Sequence, residues 1–177
     1  MTKFLLVLHV LVAIVAIGPV TVAASMFPPS ARRALADPLD PRAAETVRLL
    51  HRICRVYAAI GIAVPVLGFA TALSMGVLND AWLVASMALT GIAAAVLLAL
   101  VLPRQEEILE AVEAGASAEP GTGTGTETGT GTGTGTGVAV TSASVTVQLA
   151  MFTGVFNLLW ATVTILMIVR PGSTTGA

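Results

Sequence analysis

The sequence predicts an all-α membrane protein, a bundle of four transmembrane helices interrupted by one disordered Gly-Thr linker on the cytoplasmic side. Three observations carry that prediction. Of 177 residues 55% are hydrophobic and 11% charged, with mean hydropathy +0.89, more apolar surface than a water-facing fold of this length can hide. Four windows reach the length of about 20 apolar residues that crosses a hydrocarbon core of about 30 Å, and none contains Asp, Glu, Lys or Arg. Of the basic residues, eight Arg and one Lys, seven gather in the connections between those windows. This Arg bias in an Ala-rich chain suggests a bacterial source.

The windows are Phe4 to Met26, Val56 to Met75, Ala81 to Leu102, and Val145 to Val169. A soluble fold of this size has no room to surround four helices that are apolar all round. The first window outruns the 7 to 15 apolar residues of a signal-peptide core, so it reads as a span although Lys3 and the small residues around Ala24 resemble a cleavable leader. Arg32, Arg33, Arg42, Arg48, Arg52 and Arg55 lie between the first two spans and Arg104 after the third, against Lys3 and Arg170 on the other side. Retention of basic residues in the cytoplasm then puts both termini outside.

Between the spans, Phe27 to Asp40 holds three prolines and no period, and it reads as an irregular loop. Asp40-Pro41 is a helix start, with a carboxylate to cap free N–H groups and a proline at the first helical position. From Pro41 one helix runs into the second span, with Arg48, Arg52 and Arg55 on one face of its basic end. These arginines snorkel and set topology, and they are also placed to meet anionic lipid head groups. The five-residue turn Gly76 to Asp80 makes the second and third spans antiparallel neighbours. After Pro103 a charged stub continues the third helix with Ile108 and Val112 on one face, and its glutamates are close enough to the first connection to pair with its arginines.

Residues 121 to 137 alternate Gly and Thr, broken by Glu127. Such a stretch has no apolar side chain to bury against its ordering entropy, so the organisation reads as 1–114 (three spans and the Arg-rich loop), 115–141 (linker) and 142–177 (fourth span and tail). A flexible linker of that length spans roughly 29 Å and leaves the fourth helix free to pack anywhere in a small bundle.

Close packing in lipid relies on small residues and interhelical hydrogen bonds. Gly91, Ala95 and Ala99 supply such a face on the third span. On the fourth, Thr146, Ala150, Thr153, Asn157, Ala161 and Thr164 form one stripe expected to face protein, with Asn157 foremost because an unpaired carboxamide in hydrocarbon is costly. The first span carries His9, Ala13 and Ala16 on one face. Pro19 and Pro65 are expected to kink the first and second spans.

Candidate chemistry is sparse. His9 is the ionisable residue inside a span, and a neutral imidazole either bonds a neighbouring helix or ligates haem iron or copper. His51 lies some 20 Å or more from it at 1.5 Å per helical residue, too far to share a metal. Met75, Met87 and Met167 sit in the same halves of their spans as His9, and thioethers suit Cu(I), although methionine is also an ordinary gap filler. A single cysteine, Cys54, excludes a disulfide framework, and the absence of a basic patch interleaved with aromatics argues against nucleic acid. No membrane-embedded carboxylate, phosphate loop or nucleophile elbow is present to support an ion pump or hydrolase.

The opening KFLLVLHVLVAIVAIGP with His9, the RLLHR element around His51 and the four-span layout resemble a group of small bacterial membrane proteins. That group includes the CopD copper-resistance proteins, the HemJ-type haem-binding protoporphyrinogen oxidases and a family of predicted integral membrane proteins, the last being nearest. The resemblance implies a first-helix histidine that ligates haem b, a role that falls on His9 alone. Taken together, the sequence is expected to encode a non-enzymatic accessory or scaffold component of the bacterial cytoplasmic membrane, without a cofactor and self-associating through its small-residue faces. The alternatives are a haem- or copper-binding redox protein using His9 and a small oligomeric solute permeator.

Overall fold

Each apolar window is helical, and three of the four helices run well past it. The structure is a computed structural model that describes the backbone of residues 2–117 and 134–171, and the side chains of all these except 134–143. The described residues are helices and short turns: α1 Thr2–Ala36, α2 Pro41–Gly61, α3 Ala63–Met75, α4 Ala81–Val96, a π turn Leu97–Val101, α5 Leu102–Ser117 and α6 Thr134–Val169. Taken as continuous rods, Thr2–Ala36, Pro41–Met75, Ala81–Ser117 and Ser144–Val169 are four helices long and apolar enough to cross a membrane. A 35-residue rod such as α1 is about 52 Å long, so each of the first three rods is about 20 Å longer than a hydrocarbon core is thick.

That extra length corrects the reading of Phe27 to Asp40 as an irregular loop. α1 continues through Pro28 and Pro29 to Ala36, and the connection shrinks to Asp37–Asp40, closed by Asp37 N–H to Arg33 O (3.0 Å) and Asp40 N–H to Asp37 O (3.2 Å). Two prolines deprive the helix of two donors, and the cost is met by packing. Phe27, Ala31 and Ala34 are almost wholly enclosed, as are Val47 and Cys54 across the interface on α2. Asp40 caps α2 as expected, its Oδ1 accepting from Arg42 N–H at 2.9 Å, with Pro41 in the first turn.

The other prolines act differently from one another. α1 passes Pro19 unbroken, whereas α2 ends at Gly61 and α3 begins at Ala63, shortly ahead of Pro65. Pro65 offers no N–H to the Gly61 carbonyl and its ring crowds it, so the break falls where the α-helical bond is lost. Near Pro103 the chain widens instead: Leu102 N–H reaches back to Leu97 O, and α5 resumes from there. The expected stub is thus a full continuation, with Ile108 and Val112 buried.

α1 is the hub, packed against α2 most extensively and also against α3, α5 and α6, while α4 packs mainly on α6. The second and third spans are antiparallel but do not lie side by side along their apolar halves. α3 leans on α1, α4 leans on α6, and they meet at the turn, where Ala72 packs against Trp82 and Leu83. Their extensive contact is at the other end, between α2 and α5. Gly76 closes α3 in the left-handed conformation (φ 71°), which frees its N–H and that of Val77 to satisfy the Leu73 and Ala72 carbonyls.

Gly91, Ala95 and Ala99 do not pack within the chain. All three are exposed, with open space where a Cβ on Gly91 would stand, because α4 turns Trp82, Leu83, Ser86 and Ala93 inward instead. The stripe proposed on α6 holds in part: Thr146 and Thr153 are buried and Asn157 faces α1, but Ala150, Ala161 and Thr164 point outward. Leu149, Phe156 and Val163 take the inward positions, since large apolar groups fill the space beside α1 and α4 better than alanine does. α5 reaches Ser117 and α6 starts at Thr134, so helix takes in both edges of the stretch read as linker, and 118–133 lie outside the described residues.

Candidate functional site

Three polar constellations interrupt the apolar interior. The first is His9, held between α1 and α3 and 8% exposed. Its Nδ1 lies 3.1 Å from the Val64 carbonyl. A carbonyl only accepts, so Nδ1 carries the proton and Nε2 carries the lone pair. The ring fits because residue 68 is glycine: a Cβ there would stand 3.0 Å from His9 Cε1 and 3.7 Å from Nε2. Gly68 was not singled out from the sequence; its position one turn after the Val64 carbonyl is the signal, legible only once α1 and α3 are known to meet.

The second lies at the arginine-bearing end, where α2 meets α5. The Gln105 carboxamide, fully buried, bridges two residues of α2: its Oε1 is 3.3 Å from His51 Nδ1, and its Nε2 donates to Cys54 Sγ at 3.5 Å. His51 Nε2 stands 3.8 Å from Glu106 Oε1. His51 and Cys54 share a face because they are three residues apart on a helix. Gln105 was missed, since one glutamine in a charged stub carries no periodic signal.

The third is on α6. Asn157 Nδ2 donates to Ser25 Oγ of α1 at 3.2 Å, and Arg32 Nε donates to Thr146 Oγ1 at 3.5 Å. At the opposite end of the bundle Arg170 lies over the Trp82 ring, 5.5 Å from its centroid, while the Trp82 indole donates to Asp80 Oδ2 at 3.0 Å. Asp80 therefore uses its side chain on the indole rather than on a helix cap. Arg170 itself stands in the left-handed region (φ 44°), ending α6 with its N–H on Leu166 O.

His9 and His51 fall in separate constellations, as expected. Met87 points outward at 44% exposure, whereas Met75 and Met167 are half-buried. Among the described residues no group of three or more His, Cys, Asp or Glu that could hold a metal ion is gathered, and Nε2 is the His9 ring nitrogen that Val64 does not engage. The exposed arginines divide: Arg48 pairs with Glu113 at 2.8 Å and Arg104 with Glu107 at 3.2 Å, while Arg52 and Arg55 meet no carboxylate among the described residues. Both pairs are exposed, and each contributes about 0 to 1 kcal/mol.

The fold and these constellations define a class: among the described residues the protein is helical, with four helices long and apolar enough to span a membrane, tied together by short interhelical polar contacts. No family model, no curated protein and no solved structure matches the chain.

The His9 cradle makes a prediction. Gly68→Ala drives a methyl against the imidazole and should destabilise the bundle by about 1 to 3 kcal/mol. Adding His9→Ala should recover most of that loss, because the ring that the methyl meets is gone. Unfolding midpoints of the wild type, both single variants and the double variant in mild detergent measure the coupling, and additive effects would show that Gly68 does not seat His9.

Proposed function

We propose that this protein is a non-enzymatic accessory or scaffold component of the bacterial cytoplasmic membrane, built to present helix faces to neighbours and to a second copy of itself. The observation that carries this reading is the outward face of α4. Gly91, Ala95 and Ala99, residues that permit close helix approach, are turned away from the chain's own core. Small residues offer lipid nothing that larger ones would not, whereas against another helix they let backbones come close. Self-association through this face should weaken on Gly91→Leu, with dimer measured by energy transfer between labelled copies in bilayers falling several-fold. Undiminished transfer in Gly91→Leu would refute that face as the contact.

Orientation follows from the arginines: the end holding Arg33, Arg52 and Arg55 is cytoplasmic and both termini are external. There Arg52 and Arg55, free of carboxylate partners among the described residues, meet anionic lipid head groups, and Arg48 joins them only by leaving Glu113. A reporter active only in the cytoplasm should work when fused after Arg33 and fail after Arg170; activity at both positions rules the orientation out.

A second reading is favoured by one specific observation. The Val64 carbonyl holds His9 in the tautomer that leaves Nε2 unprotonated, the form in which imidazole binds haem iron or copper. On the resemblance to the haem-binding group this would make the protein a membrane redox protein. An absorption spectrum and metal analysis of gently solubilised protein separate the readings. The scaffold reading expects no stoichiometric haem or copper and a His9→Gln variant of near wild-type stability. A Soret band or stoichiometric copper present in the wild type and lost in both His9→Gln and His9→Leu would reverse the order.

A further inference from the structure

Three polar atoms on one face of α6 are buried without a hydrogen-bond partner among the described residues: Thr153 Oγ1, Asn157 Oδ1 and Trp160 Nε1. Thr153 is 3% exposed, and its hydroxyl does not take the bond to the carbonyl four residues back that Thr162 and Thr164 make in the same helix. The orientation of Asn157 is settled by its neighbour. Ser25 Oγ donates to Thr21 O at 2.7 Å, so it can only accept from Asn157, which must present its amide N–H to α1. The Asn157 carbonyl is therefore turned away from Ser25. Steps of four and three residues put the three side chains on one face of α6, their Cα positions covering about 10 Å of its length.

One of the helices packed on α6 is deficient in backbone donors near the same depth. Trp82 and Arg170 touch at one end of the bundle, and Leu97 lies about 22 Å along α4 from Trp82; the same rise along α6 from Arg170 reaches Val155. The π turn Leu97–Val101, which packs on α6, thus lies at about the level of Thr153. Within it Leu102 N–H is taken by Leu97 O, and the next residue, Pro103, has no N–H to give the Leu98 carbonyl in the same register. Buried polar groups are ordinarily satisfied by protein or by ordered water, and water needs two to four polar partners.

We propose that α6 holds an internal water site at the depth of the π turn, in which water accepts from Trp160 Nε1–H, donates to Asn157 Oδ1 and pairs with the Thr153 hydroxyl. Water matches this set because it offers two donors and two acceptors in the smallest volume. An anion would face the Asn157 carbonyl, and a cation would face the Trp160 N–H. The site hydrates a face of α6 whose other inward side chains include the buried Leu149, Phe156 and Val163, and it satisfies three groups that no direct bond reaches among the described residues.

The test uses the full chain, labelled with nitrogen-15, in phosphatidylcholine nanodiscs. The two tryptophans give two indole N–H signals, which Trp82→Phe assigns. Trp160 should show direct magnetisation transfer from water, lost in Thr153→Val and in Asn157→Leu, with the Trp82 signal reporting that each variant is folded. Loss in Thr153→Val alone, with Asn157→Leu unaffected, would mean relay through the threonine hydroxyl and overturn the proposal. If Asn157→Leu does not fold, wild type decides alone: water polarisation should reach the Trp160 indole faster than the backbone amide of Leu158, a neighbour whose side chain is 70% exposed. Equal build-up at the two sites, or no transfer to Trp160, would overturn the site.

Discussion

The close contact between α1 and α2 is the constraint on which the rest of the bundle depends. Ala31 and Ala34 on α1, with Ala44 on α2, bring the helices together around Phe27, Val47 and Cys54, whose side chains have almost no exposed surface. That contact lies largely beyond the apolar windows, where water still drives apolar burial. It holds α1 helical through Pro28 and Pro29 and fixes α1 as the hub on which α3, α5 and α6 lean. Within the apolar halves, by contrast, large side chains such as Phe4, Val66, Leu158 and Ile168 stay more than half exposed.

The prolines show how one chemical defect has three outcomes. Pro28 and Pro29 sit in a packed helix and leave it continuous. Pro65 breaks α2 from α3 at Ile62, and Pro103 comes after a π turn that widens the helix ahead of it. Each removes a backbone donor, and the local result is decided by the side chains that pack alongside. Two of the three defects adjoin polar constellations: Val64, beside the Pro65 break, receives His9, and the π turn before Pro103 packs on α6 at about the level of its unpaired groups. Freed backbone and buried side-chain polarity therefore occur together here.

The two histidines illustrate opposite uses of one side chain. His9 donates its Nδ1–H to a carbonyl in an apolar setting and is cradled by a glycine, which leaves Nε2 as a bare acceptor. His51 sits in a network with Gln105, Cys54 and Glu106 at the charged end, where each ring nitrogen has a polar neighbour. The first arrangement is suited to a ligand or to a single interhelical bond, and the second joins α2 to α5.

Sequence alone determined the helical class, the positions of four apolar windows, the cap at Asp40, Pro65 as a point where the helix is disturbed, and the inward turn of His9, Thr153 and Asn157. Each of these arises from local chemistry: apolar length, a carboxylate before a proline, a missing donor, or a polar group among hydrocarbon. Only the tertiary structure decided that Phe27 to Ala36 is helix, that Gly91 and Ala95 face outward, that α3 and α4 part after their turn, and that Gly68 and Gln105 complete the polar sites. The reason is that a helix apolar on every side carries no marker of which face will meet a neighbour. That choice belongs to the volumes of the facing helices, where Trp82, Leu149 and Phe156 fill space that a stripe of alanines would leave empty.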